Sequence, residues 1–154
     1  MGFRLDACLH ESAHSIARQV LLGNLGEMGL KKRGAYSYPV NRRPLDEMSN
    51  VELAKIAVIV QAAIVAERTL CGSTGNESTK QHAISDDVRQ LEGIQQIAGF
   101  SDEQMQGFAQ EAAELVRSYE TAIRKTATEL NRRNRLNGEQ VTRLLEKYPP
   151  QQHS

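Results

Sequence analysis

The sequence predicts a mainly α-helical domain of about five to six helices with a small two-stranded β-ribbon. Apolar residues recur at helical spacing over most of the 154 residues, and serine or asparagine precedes several of these stretches as a helix cap. One short stretch before residue 40 has the turn residues of a ribbon. The chain is long enough to bury a core, so we predict a single helical domain over residues 1–148 and a polar tail over 149–154.

The first helix is predicted over residues 3–21. Its apolar residues form a broad stripe along one side, and Gly23 follows them as a stop signal. The stripe consists of Phe3, Leu5, Leu9, Ala13, Ile16, Ala17, Val20 and Leu21. We therefore expect this helix to be buried along that side.

Two strands and a central helix come next. Strands are predicted over 27–31 and 35–38, with a turn at Arg33 and Gly34 between them. Ser49 and Glu52 have the spacing of a capping box, which predicts a helix start. Almost every position over 51–70 is apolar or alanine, so we expect this helix to be surrounded by others at the centre of the domain.

The third helix is predicted to follow a loop. Residues 72–81 are rich in glycine, serine, threonine and asparagine, which is typical of a loop. Ser85 followed by Asp86 and Asp87 indicates a helix start, because the positive end of a helix dipole favours acids in the first turn. Apolar residues then repeat at helical spacing until Gly99.

Two more helices complete the predicted array. Ser101 and Gln104 have capping-box spacing and predict one long helix to about residue 131. Asn137 with Gln140 predicts a last helix over 138–147, which two prolines then stop.

Charge and cysteine content limit the possible partners and compartment. Nineteen basic and nineteen acidic residues cancel, so no overall field argues for nucleic acid or an anionic membrane. The most apolar stretch, residues 53–66, is shorter than the roughly 20 residues that span a bilayer, so no membrane segment is expected. Cys8 and Cys71 fit thiols of a reducing compartment, and no secretion signal is recognisable, so we expect a cytoplasmic location.

The chemistry in the sequence centres on the pentapeptide His10, Glu11, Ser12, Ala13, His14, which is an HExxH motif. On a helix, His10 and His14 share one face and can hold one Zn²⁺, while Glu11 is placed to act as general base on a zinc-bound water. The alternative is that both histidines are hydrogen-bonded core residues that hold no metal.

A catalytic zinc usually takes three protein ligands, so a third residue is needed. No third histidine stands at the spacing of a metzincin. The candidates are Asp86, Asp87 and His82, with Glu67 as a further possibility at the end of the central helix. Adjacent acids after a serine are also common as simple helix caps, which is the alternative explanation for the two aspartates.

Several segments, in order, resemble the FtsH-type zinc peptidases, the proteolytic domains of membrane-anchored AAA proteases. HESAH stands where that family has HEAGH, and SDDVRQL is similar to its SNDIxxAT segment. The resemblance also covers AAIVAERTLCGSTG, ELVRSYETAIRKTATELNRR and NGEQVTRLL, and so nearly the whole chain. Ala13 departs from the glycine of the family motif, and the sequence contains neither the ATPase module nor the membrane anchor.

The resemblance implies a peptidase-domain-like fold and specific roles for two acids. Asp87 corresponds to the family's third zinc ligand, because an apolar β-branched residue follows it, and Asp86 takes the asparagine position. Glu67 matches a glutamate that we expect near the metal, orienting a histidine, although a helix-end acid paired with Arg68 is the alternative. The ribbon edge is expected to accept an extended peptide across the HExxH helix.

These observations predict a zinc metallopeptidase that acts on unfolded or flexible polypeptides, alone, as a homo-oligomer or with a separate unfoldase. Zn²⁺ is expected to be held by His10, His14 and, as the resemblance implies, Asp87, and Glu11 is expected to be the catalytic base. Another divalent metal in the same site is the alternative to zinc. The competing hypotheses are a non-catalytic helical module that binds a peptide or partner, and a scaffold without metal.

Overall fold

The computed structural model describes residues 2–23, 27–31, 34–38, 43–71 and 77–151, and this part of the chain is mainly helical, as predicted. The elements are α1 (Gly2–Leu22), β1 (Glu27–Lys31), β2 (Gly34–Tyr38), α2 (Asn50–Thr69), α3 (Glu77–Ala98), α4 (Asp102–Ser118), α5 (Glu120–Arg133), β3 (Arg135–Leu136) and α6 (Gly138–Lys147). A short 3-10 turn, Leu45–Glu47, precedes α2. None of the described helices is long and apolar enough to cross a membrane.

The predicted ribbon is the antiparallel pair β1–β2, in which Met28 lies opposite Ser37. The short strand β3 pairs with the other edge of β1 and brings Leu136 opposite Met28. Both apolar side chains are buried, so the ribbon is attached to the helical core at this point. A strand of two residues leaves no alternating pattern, which is why the sequence did not indicate β3.

The helix α2 lies at the centre of the core, as its apolar run predicts. It packs against α1, α3 and α4, and α1 also packs against α5. Its buried side chains face several directions, since Ile59 belongs to the cluster shared with α1 and α5 while Leu53 and Val60 belong to the cluster shared with α3. Because α1 and α3 both pack on α2, side chains from all three helices can meet.

Three predicted helix starts are confirmed by their caps. The Ser49 side chain accepts a hydrogen bond from the backbone N–H of Glu52 at the start of α2. Full capping boxes begin α4, between Ser101 and Gln104, and α6, between Asn137 and Gln140. In each case, an N–H group that lacks a partner within the helix gains one.

The predicted start of the third helix at Ser85 is wrong. The helix α3 begins at Glu77, so Ser85, Asp86 and Asp87 lie inside it. Residues 77–81 of the predicted loop 72–81 are therefore helical. Residues 72–76 lie outside the described residues. Serine and aspartate favour helix caps but are tolerated inside helices, and no glycine or proline interrupts residues 77–92.

The single long helix predicted from Ser101 to about residue 131 is also wrong, because α4 and α5 are separated at Tyr119. Tyr119 has φ −102° and ψ 16°, outside the helical values. The carbonyl of Ser118 accepts a hydrogen bond from the backbone N–H of Gln151, at 2.8 Å, beyond the end of α6. This tertiary contact supports the break at a site without glycine or proline, where the sequence carries no local signal.

Candidate metal centre

The helix α1 presents the two histidines of the HExxH motif on one face. His10 and His14 are one turn apart, and their ring centroids are separated by 5.1 Å. The two side chains are 6% and 11% exposed. The face that carries them is therefore turned toward the interior, near α2 and α3, and away from bulk water.

Asp87 reaches the same point from α3. Its Oδ2 atom lies 3.1 Å from Nε2 of His10 and 3.6 Å from Nε2 of His14. One ligand atom from each of the three residues can be chosen so that all lie within 4.8 Å of one another. The structure thus brings together the three residues that the sequence predicts as metal ligands.

The other candidates for a third ligand stand apart or cannot be placed. The Asp86 side chain is 56% exposed, and it forms an ion pair with Arg89 on the same helix, at 3.7 Å. The side chain of His82 lies outside the described residues. Because adjacent residues of a helix point about 100° apart, only one of the two aspartates can face α1, and that residue is Asp87.

Glu67, near the end of α2, is buried beside His10. Its Oε1 atom accepts a hydrogen bond from Nδ1 of His10 at 3.1 Å. The contact with a histidine that the family resemblance implies is therefore present. Since Nδ1 is engaged by Glu67, the Nε2 atom of His10 is the one that faces Asp87 and His14.

The protonation of the site follows from this arrangement. Burial by itself lowers the pKa of His10, but the contacts with Asp87 and Glu67 and the charge of Glu11 outweigh it and raise the pKa to about 10. Burial raises the pKa of Asp87, and the contacts with His10 and His14 outweigh that effect and lower the pKa to about 2. Without a metal, a proton on His10 therefore supplies the positive charge between the carboxylates.

Two of the three spacings between the ligand atoms are close to those around a zinc ion. Zinc bonds of about 2.0–2.1 Å at tetrahedral angles place neighbouring ligand atoms roughly 3.3 Å apart. The two distances from Asp87 Oδ2 to the ring nitrogens, 3.1 and 3.6 Å, lie on either side of this value. Two imidazoles and one carboxylate are also the donor types of catalytic zinc sites, which keep one position open.

A second observation favours a cation. The Oδ2 atom of Asp87 is buried, yet it makes no hydrogen bond of acceptable geometry among the described residues, despite its short distance to His10. The two groups are close enough for a strong charge interaction, but the contact does not have the geometry of a hydrogen bond. A buried carboxylate oxygen without a directed donor costs free energy, and a bound cation would satisfy it.

Glu11 follows His10 on α1 and is partly buried. Its charge raises the pKa of His10, and it also acts on Arg18, whose pKa is lowered by burial despite that attraction. Glu11 is thus close enough to influence the site electrostatically without belonging to the three-residue cluster.

Sequence reasoning missed Asp6 as a buried acid of this region. Asp6 is only 5% exposed and precedes His10 by one helical turn on the same face of α1. The spacing of four residues between Asp6, His10 and His14 was the available signal.

No protein-family description and no curated protein matches this chain.

Proposed function

We propose that this protein is a zinc-dependent metallopeptidase that hydrolyses peptide bonds in unfolded or flexible polypeptides. The observation that carries the proposal is the convergence of His10, His14 and Asp87 from two helices, with Glu11 beside the first of them. The resemblance of the HESAH and SDDVRQL segments to FtsH-type peptidases supports the same function.

In the proposed site, His10 and His14 bind through Nε2 and Asp87 through a carboxylate oxygen. Glu67 holds Nδ1 of His10 and so fixes both the ring orientation and the nitrogen that is left for the metal. The three ligands and Glu67 come from α1, α2 and α3, and α1 and α3 both pack against α2, so the site is held by helices and not by loops.

A zinc ion held by His10, His14 and Asp87 would act as a Lewis acid on the peptide carbonyl and would make a water nucleophilic near neutral pH. Glu11 accepts the proton of the attacking water and then donates it to the leaving amine. We propose that substrates arrive unfolded or are delivered by a separate unfoldase.

We also propose a reducing compartment, the cytoplasm. Cys8 and Cys71 are the only cysteines in the sequence, and both are thiols. Cys8 is fully buried in the core cluster that also contains residues of α2 and α5. Buried thiols of this kind are typical of proteins that are not exposed to an oxidising environment.

The test is the Glu11→Gln variant, assayed with a reduced, carboxymethylated and fluorescently labelled protein as the unfolded substrate. We expect bound zinc to be unchanged and cleavage to fall at least about 100-fold, because the proton acceptor is lost while the ligands remain. Glu92→Gln, an exposed glutamate on α3, is the matched control and should cleave normally.

Two results would contradict the assignment of Glu11 as base. Unchanged cleavage by Glu11→Gln would show that another group takes the proton. Parallel loss of zinc and cleavage would show that Glu11 supports the metal instead. A zinc-loaded protein that cleaves no unfolded substrate would favour the non-catalytic binding module.

A further inference from the structure

A cleft of about 440 Å³ lies between α5 and α6 and involves none of the proposed metal ligands. Its charged lining consists of Lys125, Glu129, Arg132, Arg133, Arg143 and Lys147. Five cations against one carboxylate leave four positive charges in excess on this single feature. Because the whole chain has no net charge, the positive charge is locally concentrated here.

Helix dipoles explain only part of this concentration. Arg132 and Arg133 lie in the last turn of α5 and Lys147 in that of α6, where cations stabilise helix ends. Lys125 and Arg143 lie in the interiors of the same helices. Their presence at the cleft therefore has no explanation in helix capping.

Internal ion pairs leave most of this charge available. A single oxygen of Glu129 accepts from both Arg132 and Arg133, at 2.7 and 2.8 Å, so one carboxylate serves two guanidinium groups. Arg143 is 3.9 Å from Glu139, and both side chains are at least 75% exposed, so their pairing is loose.

The two lysines of the cleft frame an aromatic ring. The ammonium groups of Lys125 and Lys147 lie 5.7 and 5.6 Å from the centroid of the Tyr148 ring. Among the described residues, no carboxylate lies within ion-pair distance of either lysine. A cation–π contact holds an ammonium group in place without neutralising its charge, so both lysines can still bind an anion.

The rest of the lining is suited to a polypeptide. Leu144, which is partly exposed, contributes apolar surface to the cleft, while Leu136 behind it is buried in the core. The side-chain oxygen of Gln140 accepts from the backbone N–H of Asn137, which leaves its amide NH₂ group to donate. An extended segment has carbonyl groups, aliphatic side-chain stems and charged ends, and this combination of surfaces matches all three.

We propose that the cleft between α5 and α6 binds an acidic segment of another polypeptide, rich in aspartate and glutamate. The excess positive charge selects carboxylates, and the guanidinium groups can bind them in a bidentate manner. A nucleic acid is less well matched, because the charge is confined to one short cleft between two helices and does not form a stripe along the surface.

The experiment measures fluorescence anisotropy of a labelled peptide of alternating glutamate and alanine. The unlabelled comparisons are the same peptide with glutamine for glutamate and a single-stranded oligothymidylate of equal charge. All proteins carry Glu11→Gln, so that the peptide is not cut and the result does not depend on the proposed peptidase activity. Arg143→Glu tests the cleft and Arg89→Glu is the matched control, since the two arginines are 75% and 73% exposed and each pairs loosely with one acid on its own helix.

We expect the glutamate peptide to bind with an affinity that falls as salt rises, and Arg143→Glu to raise its Kd about tenfold. Arg89→Glu, which changes the net charge equally, should alter the Kd less than about twofold. Equal effects of the two variants would overturn the proposal, as would equal binding of the glutamine peptide. Tighter binding of the oligothymidylate would reassign the cleft to nucleic acid.

Discussion

His10 is the residue on which the candidate site depends most. Its two ring nitrogens face two different carboxylates, Glu67 through Nδ1 and Asp87 through Nε2. In the metal-free protein a proton on the ring keeps both contacts attractive, and the proposed zinc would have to displace the proton on Nε2. We therefore expect zinc binding to be coupled to proton release.

Glu67→Gln should weaken zinc binding about 10- to 100-fold while leaving the fold intact. The amide can still contact Nδ1 of His10 but lacks the charge that makes the ring a better ligand. Competition with a calibrated chelator measures the change. Glu92→Gln removes an exposed carboxylate from α3 and is the control. Equal zinc affinity in the two variants would contradict a role for Glu67 in the site.

The stability of the metal-free protein should depend on pH through His10 and Asp87. The folded pKa of His10, about 10, exceeds the ordinary value of 6.5, so its contribution is complete below pH 6.5 and is lost as pH rises through about 10. The folded pKa of Asp87, about 2, is below the ordinary 3.8, so its contribution is present above pH 3.8 and is lost as pH falls through about 2.

Urea unfolding in the presence of a chelator tests this dependence. We expect the free energy of unfolding to decrease from pH 6.5 toward pH 9, and the decrease to be smaller in His10→Asn, which has no titrating ring. An identical decrease in the variant would assign the effect to other groups.

At the residue scale, the sequence indicates the ligand set but leaves a choice between neighbours. The HExxH motif places His10 and His14 on one face by helical geometry alone. Asp86 and Asp87 are both possible ligands in the sequence, and only the packing of α3 against the core distinguishes the exposed residue from the buried one. That packing depends on residues far away in the chain, so no local pattern can contain it.

At the scale of elements, capping signals predicted helix starts correctly where the preceding helix or strand ends just before them. Ser101 and Asn137 both follow the end of the preceding element and both form full capping boxes. The same kind of signal at Ser85 lies inside α3, because helix-compatible residues precede it from Glu77 onward. The observed helix therefore presents Asp87 from its interior, where the backbone is fixed by hydrogen bonds on both sides.

The Ser101 side-chain cap of α4 is expected to stabilise the folded protein. Ser101→Ala removes the acceptor for the N–H of Gln104 and should lower the free energy of unfolding by about 1 kcal/mol. Ser101→Asp keeps an acceptor at the same position and should change stability far less. Urea unfolding of both variants provides the comparison, and equal losses would show that the side-chain cap is not the source of the effect.

At the scale of the whole molecule, the fold class follows from the sequence more readily than the site does. Apolar periodicity and caps predict the helices, and the nearly continuous apolar run of α2 predicts its central position. The site needs α1, α2 and α3 in a particular mutual arrangement. In that arrangement Glu67 contacts one ring nitrogen of His10 and Asp87 contacts the other. The break between α4 and α5 likewise depends on a contact from beyond α6.

We propose that His10, His14 and Asp87 together hold zinc, and the metal content of the purified protein tests this directly. Elemental mass spectrometry should find about one zinc per chain in the unaltered protein and in Asp86→Ala, because Asp86 points to solvent. Asp87→Ala should lose most of the zinc, since a ligand is removed. If the unaltered protein holds no zinc after zinc is supplied, or if Asp87→Ala retains all of its zinc, these three residues do not form the proposed zinc site.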